Sequence, residues 1–142
     1  MREYKFRGQR KDNKEWVYGD YFKTPLTDEA TGSKPEDGWY FLCGKERYCI
    51  SKNNCVYEVI PETVGQYIGL PDKNDNEIYD DDIVESKIHS PSKMLIEFIE
   101  GGYCATHPKI EGYPIDINHF YDSTGCMIEV VGNKHDNPEL LK

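Results

Sequence analysis

The chain has 142 residues, of which 37% are hydrophobic, and it carries 17 Lys and Arg against 26 Asp and Glu, for a net charge of −9. This length fits a single domain, and the apolar content is too high for a disordered or collagen-like chain. No apolar run reaches the length of a transmembrane helix, so we expect no membrane association.

The N-terminal segment and the cysteines predict the cellular compartment. Residues 1–5 lack the apolar stretch of a secretory signal peptide. The number of cysteines is odd and none lies in a Cys-x-x-Cys pair, which is typical of reduced thiols packed as small hydrophobic side chains. They are Cys43, Cys49, Cys55, Cys104 and Cys126. We therefore expect a cytoplasmic protein.

The composition favours β-structure. Ala, the strongest helix former, occurs only twice, whereas Val, Ile and Thr together number 25. We therefore predict an all-β fold.

The first predicted elements form an antiparallel hairpin from residues 2–7 and 15–22, in which apolar and polar side chains alternate. Its tip is basic, because residues 1–14 hold six Lys or Arg and two acidic residues. Residues 23–38 contain two Pro and two Gly and predict a long polar loop, the best candidate for an internal boundary or contact loop.

Short strands separated by turn residues are predicted for the rest of the chain. They fall at 39–43, 47–51, 55–60, 64–69, 78–79, 83–84, 94–98, 103–105, 115–117 and 127–131. Asn53 and Asn54 predict a tight turn, as does the pair Gly101 and Gly102. Pro138 after an Asn predicts one helical turn at the C-terminus.

This spacing of strands predicts a small antiparallel barrel or sandwich. Residues 60–131 resemble an SH3-like barrel, since an Asp-Ile-Val strand start is followed by an Ile-x-Phe strand. We expect a single domain over 1–142, in which two β subdomains, about 1–60 and 61–142, share a core.

The acidic stretch 72–82 begins like a calcium-binding loop, with the pattern Asp-x-Asn-x-Asn. The match then fails, because Glu77 stands where such a loop needs Gly and Ile83 stands where it needs Glu. We interpret the stretch as a solvated turn in which Asp and Asn bond their own backbone.

Four zinc-type side chains lie further along the chain, and they are Cys104, His107, His119 and Cys126. Their spacing is only loosely that of a zinc finger, and alternation places the first two on opposite faces of a strand. We expect ordinary core and surface roles for them, and no cofactor. The sequence has no Gly-x-Ser-x-Gly, His-Glu-x-x-His or phosphate-binding loop, so we do not expect an enzyme.

Aromatic pairs share strand faces, Trp16 with Tyr18 and Trp39 with Phe41. Exposed, they could stack on single-stranded bases. Because the chain is poor in Leu and Ala, we expect the aromatic side chains to fill the core instead.

The basic hairpin supplies the candidate contact residues, namely Arg7, Arg10, Lys11, Lys14 and Trp16. We interpret it as a solvated hairpin tip; the alternative is a contact point for nucleic acid or for the acidic body of a neighbouring subunit. The other 128 residues carry a net charge of −13, which suits duplex DNA poorly.

Motifs along nearly the whole chain resemble the YopX family of phage and prophage proteins. The most specific block is residues 59–74 followed by 77–84, and it is supported by 2–7 with 16–20 and by 128–133 with 137–141. Where the family has Gly, this chain has Asp81, and Gly is also frequent near Asp75; both replacements tolerate a left-handed backbone. The resemblance implies a mostly β fold and a bacterial host cytoplasm, and it carries no agreed activity or catalytic residues.

Three functional hypotheses follow. The first is a non-enzymatic protein-binding or assembly module, either a homo-oligomer or a binder of a host or phage protein, with DNA mimicry as a variant. The second is single-stranded nucleic-acid binding through the basic hairpin. The third is a metal- or Cys-dependent enzyme, which needs Cys104, His107, His119 and Cys126 to converge.

Overall fold

A computed structural model describes residues 4–25, 46–89, 92–109 and 114–142. The regular elements in these ranges are antiparallel strands and single turns of 3₁₀ helix, which confirms the all-β prediction. No helix among the described residues has the length and hydropathy that a membrane crossing requires. The SH3-like likeness stays a prediction.

The chain divides into two compact units after Val64. One unit contains Lys5–Val64, and the other contains Gly65–Lys142 together with the N-terminal residues to Tyr4. Residues 5–64 hold ten basic and ten acidic residues, and the rest hold seven and sixteen. The first unit is therefore neutral, and the second carries the whole net charge of −9.

The Lys5–Val64 unit is a four-stranded antiparallel sheet with the order β4-β3-β2-β1. Its strands are β1 (Phe6–Gln9), β2 (Trp16–Pro25), β3 (Glu46–Lys52) and β4 (Cys55–Glu58), and a 3₁₀ turn covers Pro61–Thr63.

Two boundaries in this unit differ from the prediction. Strand β1 starts four residues later than expected, and β2 runs through Pro25, three residues into the predicted loop. Pairing with β3 accounts for the longer β2, since its last residues lie opposite Glu46 and Arg47. The rest of the predicted loop, the predicted strand at 39–43 and Cys43 lie outside the described residues.

The predicted turn between β3 and β4 is confirmed. Asn53 and Asn54 have φ angles of 51° and 65°, the left-handed values that a two-residue hairpin loop requires. After β4 the chain returns to the first hairpin, where the N–H of Lys11 donates to the carbonyl of Glu58 at 3.0 Å. This bond joins the end of β4 to the first hairpin.

The unit from Gly65 onward has a five-stranded sheet with the order β10-β9-β8-β7-β13 and two smaller strand pairs, β5 with β6 and β11 with β12. Its strands are β5 (Gly65–Pro71), β6 (Glu77–Tyr79), β7 (Asp82–Glu85), β8 (Lys93–Ile99), β9 (Gly102–Thr106), β10 (Ile115–Asp116), β11 (Tyr121–Asp122), β12 (Gly125–Cys126) and β13 (Glu129–Asn133).

The predicted strand at 115–117 is one residue too long. The carboxylate of Asp116 accepts the N–H of Asn118 at 2.8 Å and starts a 3₁₀ turn over Ile117–Phe120. The turn between β8 and β9 is formed by Glu100 and Gly101, one residue before the predicted pair. The predicted C-terminal turn is confirmed as a 3₁₀ helix over Pro138–Leu141.

Aliphatic side chains form the core of this unit. The main cluster consists of Ile68, Ile78, Val84, Met94, Ile96, Ala105, Ile117, Phe120 and Ile128. On the other face of β8, Leu95 packs with Ile83 and with Leu141 of the C-terminal turn. The expectation of an aromatic core is wrong, because among the described aromatic residues only Tyr79 and Phe120 are buried. The β-branched residues fill the interior instead.

Candidate functional site

Three apolar side chains on one face of the β2–β3–β4 sheet are exposed to solvent. Tyr18, Phe22 and Val56 are exposed to 37%, 37% and 59%. Residues two apart on a strand point to the same side, so Tyr18 and Phe22 share a face with Asp20. Because Asp20 pairs with Ser51, and Ser51 with Val56, all three apolar side chains lie on that face. We call Tyr18, Phe22 and Val56 the exposed face.

The opposite face of the same sheet is the interior of the unit. Ile50 is fully buried there, and Val59 is 2% exposed. Gly8 packs so closely that an added Cβ would lie 3.2 Å from the side chains of both residues. Since the interior is filled on this side, the exposed face is not required for the core of this unit.

Arginine side chains lie over two aromatic rings beside the exposed face. The guanidinium of Arg7 is 4.7 Å from the ring centre of Trp16, and that of Arg10 is 4.8 Å from the ring centre of Tyr57. Contacts of this kind between a cation and a ring face are attractive. Arg7 is only 6% exposed, so the prediction that it is a surface contact residue is wrong.

The predicted basic patch is largely compensated by acidic neighbours. Arg10 donates to the carboxylate of Asp12 from Nη2 at 2.6 Å and from Nε at 3.0 Å. That hydrogen bond raises the pKa of Arg10 and lowers the pKa of Asp12. Lys11 Nζ lies 3.5 Å from a carboxylate oxygen of Glu58. Lys14 is exposed and adopts a left-handed backbone in the turn, with a φ of 65°.

Two grooves adjoin Tyr57. One has a volume of about 330 Å³ and is lined by Arg10, Lys11, Asp12, Val56, Tyr57 and Glu58. The other has a volume of about 310 Å³ and is lined by Trp16, Val17, Tyr18, Lys52, Asn53, Cys55 and Tyr57. Of the predicted contact residues, Arg10, Lys11 and Trp16 therefore lie around a common surface, together with aromatic residues that the prediction assigned to the core.

The four zinc-type candidates do not form a metal site. The described residues contain no group of three or more His, Cys, Asp or Glu side chains that could hold a metal ion. His107 accepts the N–H of Lys109, and the ring of His119 packs edge-on against those of His89 and Phe120. Cys126 lies opposite Tyr121 in the β11–β12 pair.

The first carboxylate of the acidic turn, that of Asp72, has a structural role. Asp72 is 4% exposed and accepts the N–H groups of Asn74 at 2.8 Å and Asn76 at 2.9 Å. The predicted bonding of Asp to its own backbone is therefore confirmed. The description of this residue as solvated is wrong, because β13 also bonds to it through the N–H of Val130.

Two of the cysteines lack the features of a nucleophile. Burial raises the pKa of Cys49 and that of Cys104. The nearby carboxylate of Asp116 raises the pKa of Cys104 further. A reactive cysteine needs the opposite shift, because the thiolate is the attacking species.

Sequence reasoning missed Phe22 and Val56 as exposed residues and Tyr57 as a groove residue. Alternation along β2 did give a usable signal, since Trp16, Tyr18 and Phe22 recur at even spacing. Alternation shows which residues share a face, but not which of the two faces is covered.

The comparisons with known proteins identify a family. The family model described as YopX protein matches residues 5–142, a range that includes every described strand. No curated protein matches the chain. The crystal structure of protein EF1440 from Enterococcus faecalis is similar over 100% of both chains, with 23% sequence identity and a TM-score of 0.51, which shows a likeness of fold. Because the family model covers nearly the whole sequence, this chain belongs to the YopX family.

Proposed function

We propose that this chain is a non-enzymatic protein-binding module of phage or prophage origin that acts in the bacterial cytoplasm. The observation that carries the proposal is the exposed face, where Tyr18, Phe22 and Val56 project from one side of a sheet whose other side already forms the core. Aromatic residues and Arg are enriched at the centres of protein interfaces. Trp16, Tyr57 and Arg10 adjoin this face in the two grooves.

The state of the basic hairpin supports a protein partner over a nucleic acid. Phosphate binding needs cations that are available to replace counterions. Arg7 is buried, and Arg10 and Lys11 lie beside the carboxylates of Asp12 and Glu58. A surface of aromatic residues with compensated charges suits a polypeptide better than a phosphate backbone.

The thiols support the non-enzymatic part of the proposal. Cys49 and Cys104 have raised pKa values and are therefore protonated at neutral pH. Among the described residues that line the grooves beside Tyr57 there is no His, and the carboxylates there, Asp12 and Glu58, lie beside Arg10 and Lys11.

Site-specific photocrosslinking tests the proposal. A benzophenone amino acid is placed at Phe22 of the full chain, and a matched variant carries it at Glu62, which is exposed on a 3₁₀ turn of the same unit. After irradiation in lysate of the bacterial host, we expect a discrete protein adduct from the Phe22 position and none from Glu62. Adducts only with nucleic acid, or identical patterns from both positions, would overturn the proposal. Sedimentation velocity of the purified chain separates self-association from binding of another protein.

The separation of charge favours one variant of this function. The Gly65–Lys142 unit with its N-terminal residues carries the net charge of −9, whereas the other unit is neutral. An acidic unit of this kind can occupy the DNA site of a partner by imitating phosphates. The variant predicts that duplex DNA competes with this chain for the partner's DNA site and so lowers the yield of the crosslink, and unchanged crosslinking in excess DNA contradicts it.

A further inference from the structure

Strand β4 has an outer edge with backbone groups that can accept another strand. In an antiparallel ladder, successive residues alternate between bonding one neighbouring strand and bonding the other. Val59 donates inward, to the carbonyl of Tyr48, and the carbonyl of Glu58 points outward, to the N–H of Lys11. The same alternation directs the N–H and C=O of Val56 outward.

The position of β4 leaves that part of its edge open. Strand β4 is last in the order β4-β3-β2-β1, so its inner side is paired with β3. Beyond it, the first hairpin bonds Glu58, Val59 and Ile60 through residues 9–11, and within the described chain these bonds do not extend to Val56. The side chain of Val56 is also the most exposed large apolar group among the described residues of this unit. As far as the described residues show, the edge is therefore closed at one end and open at the other.

The two grooves lie along the open end. One separates Val56 and Tyr57 from the hairpin tip, and the other separates Cys55 and Tyr57 from the start of β2. Alternate side chains of an added strand point to opposite sides, so neighbouring residues of an extended segment could enter the two grooves.

The charge of the groove linings indicates which segment fits. The described residues that line the two grooves include three cationic side chains, Arg10, Lys11 and Lys52, against the two carboxylates of Asp12 and Glu58. The pairs of Arg10 with Asp12 and Lys11 with Glu58 are solvent-exposed, and such pairs contribute little to stability. The charges within each of these pairs compensate each other, so Lys52 gives the groove linings their excess positive charge, which attracts an incoming carboxylate and repels an incoming cation.

We infer that the outer edge of β4 at Val56 binds an extended acidic segment of the partner protein by strand addition, with apolar side chains against Tyr57 and Trp16. This inference rests on the proposed function and names the chemistry of its partner. Backbone bonds supply pairing that is independent of side chains, and the excess positive charge from Lys52 favours acidic residues.

The test compares two substitutions at one position. Val56→Pro removes the outward N–H without removing a bond to β3, whereas Val56→Thr keeps that N–H and changes only the side chain. The probe is a short capped peptide of alternating valine and glutamate, titrated into the full chain by calorimetry and by amide NMR. We expect the peptide to shift the Val56 amide signal and the Trp16 indole signal. Val56→Pro should weaken binding about tenfold or more, and Val56→Thr about threefold or less.

Two further peptides keep the inference falsifiable if Val56→Pro does not fold. A version with one N-methylated valine cannot complete the ladder and should lose binding to the unmodified chain. A version with lysine in place of glutamate should bind at least about tenfold more weakly. Equal binding of all three peptides, or signal shifts confined to other surfaces, would overturn strand addition by an acidic segment.

The outcomes also separate this inference from the proposed function. If the crosslink at Phe22 forms and persists in Val56→Pro, the protein-binding function stands and strand addition is wrong. A second copy of the chain is the other occupant that the edge could take. Sedimentation of the free chain as a dimer that Val56→Pro converts to monomer would assign the edge to self-pairing and overturn the acidic partner.

Discussion

The carboxylate of Asp72 accepts a hydrogen bond from the backbone N–H of Val130 at 2.9 Å, across 58 residues of chain. The same side chain accepts the N–H groups of Asn74 and Asn76. One buried carboxylate therefore orders the turn between β5 and β6 and joins it to β13. This turn belongs to the most specific block of the family motif, where it has a structural role.

Asp72→Asn is expected to destabilise the protein by about 2–3 kcal/mol, because an amide accepts fewer bonds than a carboxylate and offers an N–H where only acceptors are wanted. Asp75→Asn is the matched control, since Asp75 is exposed in the same turn and Asn tolerates its φ of 67°. Urea denaturation of both variants measures the difference. Equal midpoints for the two variants would contradict the role assigned to Asp72.

The effect of Asp72 also depends on pH. Burial alone would raise the pKa of Asp72, but the N–H donors of Val130, Asn76 and Asn74 outweigh it and hold the pKa below 3.8. A carboxyl with a depressed folded-state pKa stabilises the fold above its unfolded pKa and loses that contribution as the pH falls through the folded value. The difference in free energy of unfolding between wild type and Asp72→Asn should therefore be largest at pH 7 and should decrease as the pH falls below 3.8.

Ionised Asp80 is expected to destabilise the fold, whereas ionised Asp72 stabilises it. Burial, with the neighbouring charge of Asp81, raises the pKa of Asp80 from 3.8 to about 6. A carboxyl with a raised pKa opposes folding when it is ionised, fully so above the folded value and not at all below the unfolded value. Asp80→Asn should stabilise the protein at pH 7.5 by about 1–2 kcal/mol after allowance for solvent screening, and the gain should vanish near pH 4. Thermal unfolding at both pH values measures it. A gain that is independent of pH would show that ionisation is not the cause.

Local signals predicted the elements that depend on neighbouring residues. The pair Asn53 and Asn54 specified its turn, because both residues tolerate a left-handed backbone. Asp75 and Asp81 also adopt a left-handed backbone, with φ angles of 67° and 72°. The β11–β12 pair was missed, since strands of two residues are too short to show a period.

The candidate site was less predictable because it depends on burial and on distant contacts. The sequence predicted Arg7 and Trp16 as contact residues, but Arg7 lies over the Trp16 ring and is buried. The sequence predicted Arg10 as an available cation, but in the structure the carboxylate of Asp12 compensates its charge. The outward backbone of Val56 follows from the register with β3, which cannot be derived until the strands are paired.

Gly65 is expected to be intolerant of any side chain. An added Cβ would lie 2.7 Å from the carbonyl oxygen of Asp80, closer than such atoms approach in proteins. Gly65→Ala should therefore destabilise the fold by about 2 kcal/mol, because backbone must shift to relieve the overlap. Gly102→Ala is the control, since an added Cβ there meets nothing within 4 Å. Denaturation midpoints for the two variants decide the matter, and a cost for Gly102→Ala as large as that for Gly65→Ala would refute the steric explanation.

The thiols are expected to react in the order of their exposure. Cys55 is exposed at the start of β4, whereas Cys49 is 4% exposed and burial raises its pKa, which lowers its thiolate fraction. A short pulse of iodoacetamide at pH 8 should alkylate Cys55, whereas Cys49 should stay unmodified until denaturant is added. Peptide mass spectrometry measures both. Cys55→Ser should remove the fast phase without changing the slow one. Because Cys55 lines a groove beside Tyr57, the valine–glutamate peptide should also slow its alkylation. Unchanged alkylation in saturating peptide would place the bound peptide away from β4.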